Sequence, residues 1–172
     1  MTKLNSINNI SNTNEDNNQS LKIVYHGSDC IVEKPQIFTK GYYKDFGFGF
    51  YVTKMKKQAE RWTLKKEPKV VNVYEIDKDY KKNLNIKIFN EMTEEWLDFI
   101  AGCRSGKSHD YDIVEGPMAD DTIFQFVNMF ISKRITREAF WALCKFKYPT
   151  HQIVFATKRS LNYLKYKECY YV

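Results

Sequence analysis

The fold is decided by residues 45–53, D-F-G-F-G-F-Y-V-T, and by the helix predicted directly after them over Met55–Leu64. The two glycines of this stretch allow a tight turn, and the strand predicted over Gly49–Thr53 presents Tyr51. Trp62 follows at helical spacing, on the face of the helix that is expected to point inward. Taken alone, the stretch also fits a simple glycine turn before a buried strand.

Two further segments combine a predicted strand with polar residues at one of its ends. Residues 25–28, Y-H-G-S, close a strand predicted over Leu21–Tyr25, and the small residues after the histidine would let a ligand approach the backbone closely. Residues 150–155, T-H-Q-I-V-F, open a late strand with His151 and Gln152, and alternation along the strand puts Gln152 on one face with Val154. Separately, each has a plainer interpretation, a capped strand in the first case and a buried core strand in the second.

The rest of the chain alternates helical and strand patterns without a regular strand–helix–strand rhythm, which predicts an α+β fold. Apolar residues recur at helical spacing around Ile123, and Thr93 is a typical N-cap for a helix with two glutamates in its first turn. Further strands are predicted at Val70–Ile76, Leu84–Phe89, Tyr111–Val114, Gln152–Ala156 and Leu164–Tyr171, and further helices at Thr93–Ala101, at Ala119–Phe130 and from Thr136 to about Phe146.

Length and composition indicate one folded domain, which we place at residues 21–172. Residues 1–20 include seven asparagines and almost nothing apolar, a composition that predicts a disordered leader. There is no apolar run of roughly 18 residues and no signal-peptide pattern, so we expect no membrane association. The four cysteines are far apart and form no C-x-x-C pair, which disfavours a metal site or a disulfide framework and favours a cytoplasmic location.

The net charge of +6 is unevenly distributed. Residues 91–121 carry nine acids and two bases, whereas residues 54–69 carry seven bases and two acids, and residues 133–172 carry nine bases and two acids. The basic segments could face the phosphates of a nucleotide or of a nucleic acid, or they could form an ordinary solvated surface.

Two motif look-alikes can be rejected from the sequence. Residues 102–108, G-C-R-S-G-K-S, are one residue short of a phosphate-binding P-loop and follow a predicted helix instead of a strand. The D-F-G at the start of residues 45–53 is the kinase tripeptide, but none of the other kinase motifs accompanies it.

Taken in order, the three segments resemble the ADP-ribosyltransferase superfamily. A strand ending in H-G-S, then G-x-G-F-Y, a helix and a late strand are similar to its diphtheria-toxin and poly(ADP-ribose)-polymerase branch, whose signature is His, Tyr and Glu on three strands. Residues 22–166 also resemble an uncharacterised bacterial family assigned to that superfamily, through D-F-G-x-G-F-Y-x-T and through E-W-L-D-F (95–99), Y-D-I-V (111–114) and G-P-M-A-D-D (116–121). The resemblance implies a split β-sheet core with flanking helices.

The resemblance also implies that the co-substrate is NAD, with a role for each matching residue. His26 would hydrogen-bond the adenosine ribose, and the Gly27 backbone would hold the nicotinamide carboxamide, with Ser28 as a neighbouring polar contact. Tyr51 would stack on the nicotinamide ring, and Trp62 lies near the position of a second aromatic against it. Breaking the nicotinamide–ribose bond develops positive charge on the ribose, so the site must hold the leaving ring and stabilise that charge.

The sequence departs from the family at the signature glutamate. The position that opens the late strand holds His151 or Gln152, either of which can hydrogen-bond a ribose hydroxyl but neither of which is a carboxylate. Asp120 and Asp121 are the nearest carboxylates in a family motif, and they either supply the missing charge or cap the helix that starts near Ala119. Poly-transfer is therefore not expected.

These implications lead to one expectation and its alternatives. The expected function is mono-ADP-ribosyl transfer from NAD to a protein or nucleic-acid acceptor, with a toxin role and a cognate antitoxin or inhibitor protein suggested by family-level analogy alone. The alternatives are a catalytically inert NAD-binding or interaction module on the same fold, an NAD glycohydrolase that needs no macromolecular acceptor, and a basic RNA-binding protein.

Overall fold

The computed structural model describes residues 22–39, 41, 43–144 and 150–172, except for the side chain of Asp121. The predicted leader, residue 21 and the end of the helix predicted to reach Phe146 lie outside the described residues. The described elements are β1 (Lys22–Ser28), β2 (Phe50–Val52), α1 (Lys56–Trp62), β3 (Val70–Ile76), α2 (Tyr80–Asn83), β4 (Ile86–Ile88), α3 (Glu94–Arg104), β5 (Ile113–Gly116), α4 (Asp121–Ile131), α5 (Arg137–Cys144), β6 (Gln152–Phe155), α6 (Lys158–Leu161) and β7 (Leu164–Tyr171).

The strands form two sheets, a three-stranded sheet of order β1-β3-β7 and a four-stranded sheet of order β2-β6-β5-β4. All neighbours are antiparallel except β4 and β5. The sheets meet at an isolated bridge, where Tyr25 and Thr53 exchange backbone hydrogen bonds of 2.8 and 2.9 Å. The predicted α+β class is confirmed, and the strands divide into two sheets beside helices.

Local sequence signals account for most element boundaries. Thr93 is the N-cap of α3, as predicted, and its side-chain oxygen accepts a hydrogen bond of 3.2 Å from the Trp96 backbone N–H. The bounds of β3 and β7 are also those predicted. The short helix α2 was not predicted, because four residues are too few to show a helical period.

Alternation along the strands of the four-stranded sheet sorts its side chains between two hydrophobic cores. Tyr51 and Val154, which are opposite each other in the β2–β6 pairing, pack in one core with α3, α4 and α5. Phe50 and Phe155 face the other core, toward β1 and β3. Gln152 lies two residues before Val154 on β6, so its side chain is on the Tyr51 face, as the sequence predicted.

The structure explains why residues 102–108 resemble a P-loop without being one. Helix α3 continues to Arg104, and the Lys107 backbone N–H then donates to the Gly102 carbonyl at 2.9 Å. A P-loop instead leads into a helix N-terminus, whose N–H groups face the phosphate. Separately, none of the helices in the described ranges has the length and apolar character needed to cross a bilayer.

Candidate functional site

Five of the residues predicted for the site line one cavity at the junction of the two sheets. The cavity has a volume of about 390 Å³, within the usual range for small-molecule sites, and we call it the cleft. Its lining includes residues from β1, β2, α1 and β6, namely His26, Gly27, Tyr51, Trp62 and Gln152.

Ser28 lies outside the cleft but beside it. It lines a second cavity of about 490 Å³, the side cavity, which shares His26, Lys44 and Tyr51 with the cleft. The Ser28 hydroxyl accepts a hydrogen bond of 3.4 Å from the Cys30 backbone N–H, so the turn after β1 holds it in place. The cleft and the side cavity together form an elongated depression around His26 and Tyr51.

His26 is held as a neutral imidazole between the two sheets. Its Nδ1 lies 2.7 Å from the Tyr51 carbonyl oxygen, which only accepts hydrogen bonds, so Nδ1 carries the proton and donates it. Burial lowers the pKa of His26 to about 4, although the bond to Tyr51 and the nearby Asp29 carboxylate act in the opposite direction. The Nε2 atom is therefore unprotonated at neutral pH and is available as an acceptor.

Gly27 permits close packing of α1 against β1. A Cβ at this position would lie 2.3 Å from the Ala59 carbonyl oxygen and 2.9 Å from the Trp62 Cβ, so only glycine fits. The Tyr25 backbone groups point toward Thr53 of the other sheet, and those of Gly27, two residues further along the strand, point to the same edge. The glycine therefore brings Trp62 to the cleft and leaves its own backbone edge in the cleft lining.

The Tyr51 hydroxyl makes hydrogen bonds within the core, and Tyr51 also lines the cleft. The hydroxyl donates to the Gly47 carbonyl at 2.7 Å and accepts from the Phe46 N–H at 3.1 Å, which fixes the D-F-G turn. Burial is the main cause that raises the pKa of Tyr51 well above its usual value, so the phenol stays neutral. The Lys44 ammonium lies over the ring, 4.9 Å from its centroid, and Lys44 also lines the cleft.

Two lysines give the cleft a positive potential. Lys44 and Lys66 both line it, and burial together with the charge of Lys66 lowers the pKa of Lys44. An anion bound between the two lysines would relieve their repulsion.

Gln152 is buried in the cleft wall, where a carboxylate orients it. Its Nε2 donates to Asp45 Oδ2 at 3.0 Å and approaches the Pro117 carbonyl at 3.4 Å. Both partners are acceptors, so the amide nitrogen must face them and Oε1 must point the other way. Within the described part of the chain, Oε1 accepts no hydrogen bond, so it is the atom that Gln152 can offer to a ligand.

Asp45, which sequence reasoning did not single out as a site residue, is the centre of this network. Its carboxylate is buried, accepts from Arg104 Nε at 2.9 Å and forms a salt bridge with the same guanidinium. The Ala119 backbone N–H donates to Oδ2 at 2.8 Å, beside the bond from Gln152. A buried carboxylate that itself lines the cleft therefore lies beside the Gln152 amide and holds its nitrogen.

His151 faces away from the cleft. It lines a different cavity of about 340 Å³, where its Nε2 lies 3.2 Å from Glu115 Oε1. Lys54 also forms a salt bridge with Glu115. Burial alone would raise the pKa of Glu115, but the bonds from His151 and Lys54 outweigh it and lower the pKa to about 2. Of the two candidates for the glutamate position, the structure brings only Gln152 to the cleft.

Asp120 and Asp121 are at the start of α4. Asp120 is the N-cap residue by its backbone conformation, without a capping hydrogen bond from its side chain. It is not among the residues that line the cleft, although its neighbour Ala119 is. Asp121 begins the helix, and its side chain lies outside the described part of the structure.

Gln58 of α1 positions the start of β6 and was also missed as a site residue. It is fully buried, its Nε2 donates to the His151 carbonyl at 2.5 Å, and its Oε1 accepts from the His151 N–H at 3.1 Å. These two bonds tie the helix that carries Trp62 to the strand that carries Gln152. No local sequence pattern marks such long-range polar pairs, because each partner alone is an ordinary polar residue.

Comparison with known proteins identifies the family of the chain but not its activity. The chain is 28% identical over 117 residues to a curated protein named peptide deformylase from Flavobacterium psychrophilum, an alignment that covers 64% of this chain and 56% of that protein. The chain thus spans little more than half the length of this relative. No solved structure matches the chain. A family model described as a protein of unknown function, DUF3990, matches residues 22–166, and the chain therefore belongs to this family.

Proposed function

We propose that this protein is an NAD-dependent mono-ADP-ribosyltransferase that uses the cleft. The observation that carries the proposal is the convergence of five residues from four separate elements on one cavity. The sequence resemblance implies roles for His26, Gly27, Tyr51 and Trp62, and Gln152 is one of the two residues at the position of its signature glutamate. The two-sheet arrangement is also consistent with an ADP-ribosyltransferase-like split core.

The cleft offers a suitable partner for each part of NAD. The unprotonated Nε2 of His26 can accept from a ribose hydroxyl, and the backbone edge at Gly27 can pair with the carboxamide. Tyr51 and Trp62 provide aromatic surface for the nicotinamide ring. Stacking on Tyr51 requires the Lys44 ammonium to leave the ring face, and its charge can then neutralise the diphosphate together with Lys66.

In the reaction, the bond between C1′ of the ribose and the nicotinamide nitrogen breaks, and nicotinamide leaves with the bonding electron pair. Positive charge develops on the ribose, and a carbonyl oxygen held close to it stabilises that charge. In our proposal this oxygen is Gln152 Oε1, and Asp45 fixes the amide by accepting a hydrogen bond from its nitrogen. The amide N–H bond to a carboxylate polarises the amide and increases the negative character of its oxygen.

The experiment that tests the proposal is incubation of the protein with labelled NAD and a cell lysate, followed by separate analysis of protein and nucleic acid. We expect label on one of these fractions, and we expect Gln152→Ala to reduce it far more than His151→Ala. NAD binding without nicotinamide release would instead support the inert module. Nicotinamide release without label on any macromolecule would support the glycohydrolase. A cytoplasmic site of action and an antitoxin or inhibitor partner are parts of the same proposal.

A further inference from the structure

The surface of α1 next to the cleft identifies a class of acceptor. Resting on the proposed function, we propose that the ADP-ribose acceptor is a single-stranded nucleic acid, bound by a row of three cations on α1 and on the turn that follows it. This basic row consists of Lys57, Arg61 and Lys65, and each of its side chains is exposed.

The basic row runs along the cleft because of helical spacing. Lys57 and Arg61 are four residues apart and share one face of α1, and Lys65 is in the turn that follows it. Trp62 and Lys66, which line the cleft, are each one residue further along and form the neighbouring row. The helical path continues past Trp62, since the Lys66 N–H donates to the Thr63 carbonyl at 2.8 Å.

The charges of the basic row are not neutralised within the protein. None of the three cations forms a salt bridge with an acid in the ranges that the structure describes. The nearest acid on the helix, Glu60, instead accepts a hydrogen bond of 3.0 Å from the Tyr170 hydroxyl, and Lys56 lies over the Tyr170 ring. The Glu60 side chain thus points toward β7, and the positive charges of the basic row stay uncompensated beside the cleft. A negatively charged phosphate backbone could pair with them.

Exposed aromatic rings in the lining of the two cavities favour a single strand over a duplex. Phe124 of α4 lines the cleft and is 43% exposed, and Phe38 lines the side cavity and is 68% exposed. Unpaired bases stack on such rings, whereas the bases of a duplex are covered by one another. An acidic protein would match the cations but has no need of the rings.

The transfer step balances without an additional reactant. The C1′–nicotinamide bond breaks and neutral nicotinamide leaves with the electron pair, while a base nitrogen of the strand forms the new bond to C1′. The proton of that base N–H passes to water. The products are nicotinamide, the ADP-ribosylated base and one proton, and an unpaired base is required because pairing would hide its nitrogen.

Binding to a labelled 20-nucleotide single strand, measured by fluorescence anisotropy without NAD, tests the surface separately from the chemistry. The test variant is Lys57→Gln/Arg61→Gln/Lys65→Gln. The matched control is Lys78→Gln/Lys81→Gln/Lys82→Gln, which removes the same charge at α2. That helix is at the far end of β1 from the cleft, where Lys22 of β1 contacts Tyr80.

We expect the test variant to bind at least about tenfold more weakly in low salt. The slope of log affinity against log salt should fall by about 2, because each phosphate contact on a single strand contributes about 0.7 to that slope. The control should bind as the wild type does. Equal losses in both variants, or equal binding of a polyglutamate probe of the same charge, would contradict a specific nucleic-acid surface.

A second measurement links the surface to the reaction. With labelled NAD and the same oligonucleotide, we expect label that nuclease releases and protease does not, and much less of it with the test variant than with the control. Nicotinamide release in the absence of acceptor should be equal in both. Label on protein alone would overturn the inference while leaving the proposed transferase intact. Strand binding with no use of NAD would overturn the proposed function but not the binding surface.

Discussion

Gln152 donates an amide hydrogen bond of 3.0 Å to Asp45, a residue 107 positions earlier in the chain. The bond joins the start of the late strand to the start of the D-F-G turn, two of the segments that resemble ADP-ribosyltransferases. It also fixes which atom of Gln152 faces the cleft. That atom is the amide oxygen, because the nitrogen of the same amide is bonded to the Asp45 carboxylate.

This pairing predicts that a glutamate at position 152, the residue type of the ADP-ribosyltransferase signature, is less effective than the glutamine. Gln152→Glu places a second carboxylate beside Asp45, and the two charges repel or force one group to take up a proton. We expect lower activity and lower stability. The double variant Asp45→Asn/Gln152→Glu moves the negative charge from position 45 to position 152. The hydrogen bond between the two side chains can then re-form. We therefore expect nicotinamide release at least about tenfold faster than with Gln152→Glu alone. Equal rates for the two variants would mean that Asp45 does not act through residue 152.

His26 makes stability depend on pH in a defined window. Its pKa in the folded protein is about 4, below the unfolded value of 6.5, so the unfolded chain binds the proton more readily and stability falls as pH drops from about 6.5 toward 4. We expect a loss of about 2–3 kcal/mol in the free energy of unfolding between pH 7 and pH 4.5. Asp112 and Glu115, whose pKa values are lowered to about 2 from 3.8 and 4.5, add losses that begin at the acidic end of this window and grow below it.

Urea unfolding at pH 7, 5.5 and 4.5 measures this dependence. His26→Gln cannot take up the proton, so its stability should change much less over the same range. A wild-type slope as shallow as that of His26→Gln would contradict the buried neutral histidine.

Tyr51 variants separate the hydroxyl from the ring. Tyr51→Phe leaves the buried Phe46 N–H without its acceptor, so we expect a loss of about 1–3 kcal/mol in stability and an NAD affinity within about threefold of the wild type. Tyr51→Leu also removes the ring and should weaken NAD binding clearly in calorimetry. Tyr74→Phe, which removes the hydroxyl that donates to the Val32 carbonyl in the other core, is the control for stability alone. NAD binding by Tyr51→Leu as tight as by Tyr51→Phe would exclude stacking on Tyr51.

Gly27→Ala tests the close approach of α1 to β1. The added Cβ would meet the Ala59 carbonyl at 2.3 Å, so the helix must shift. We expect a loss of about 1–3 kcal/mol in stability, together with weaker NAD binding because Trp62 moves with the helix. The matched control is Gly102→Ala in α3, where the nearest atom lies 3.4 Å away and the better helix former should be neutral or stabilising. Thermal unfolding of the two variants distinguishes these expectations, and equal stability would contradict them.

Local patterns in the sequence predicted most of the cleft but not what holds it together. His26, Gly27 and Tyr51 were identified because each follows from a strand end or a glycine turn, and Trp62 because of helical spacing. Alternation along β6 put Gln152 on the face of Val154, and the structure agrees. These features depend on the order of neighbouring residues, which a single sequence records.

The long-range hydrogen bonds that hold the cleft residues in place could not be predicted in the same way. Asp45 and Arg104 are 59 residues apart, and Gln58 and His151 are 93 apart. Such pairs form because the fold brings their elements together, and neither partner has a periodic or spacing signal of its own. In the sequence, Arg104 was part of a rejected P-loop look-alike. In the structure, it neutralises the Asp45 carboxylate that binds Gln152.

The most direct test of the central claim is the rate of nicotinamide release at saturating NAD, measured for the wild type and for Gln152→Ala beside calorimetric affinities for NAD. A contact that strengthens only as charge develops on the ribose contributes to the rate and not to binding. We predict about a 10- to 100-fold lower rate for Gln152→Ala with little change in affinity, and a nearly unchanged rate for His151→Ala. A wild-type protein that binds NAD and releases no nicotinamide, or a rate that falls only with Asp120→Ala or Asp121→Ala, would contradict the account.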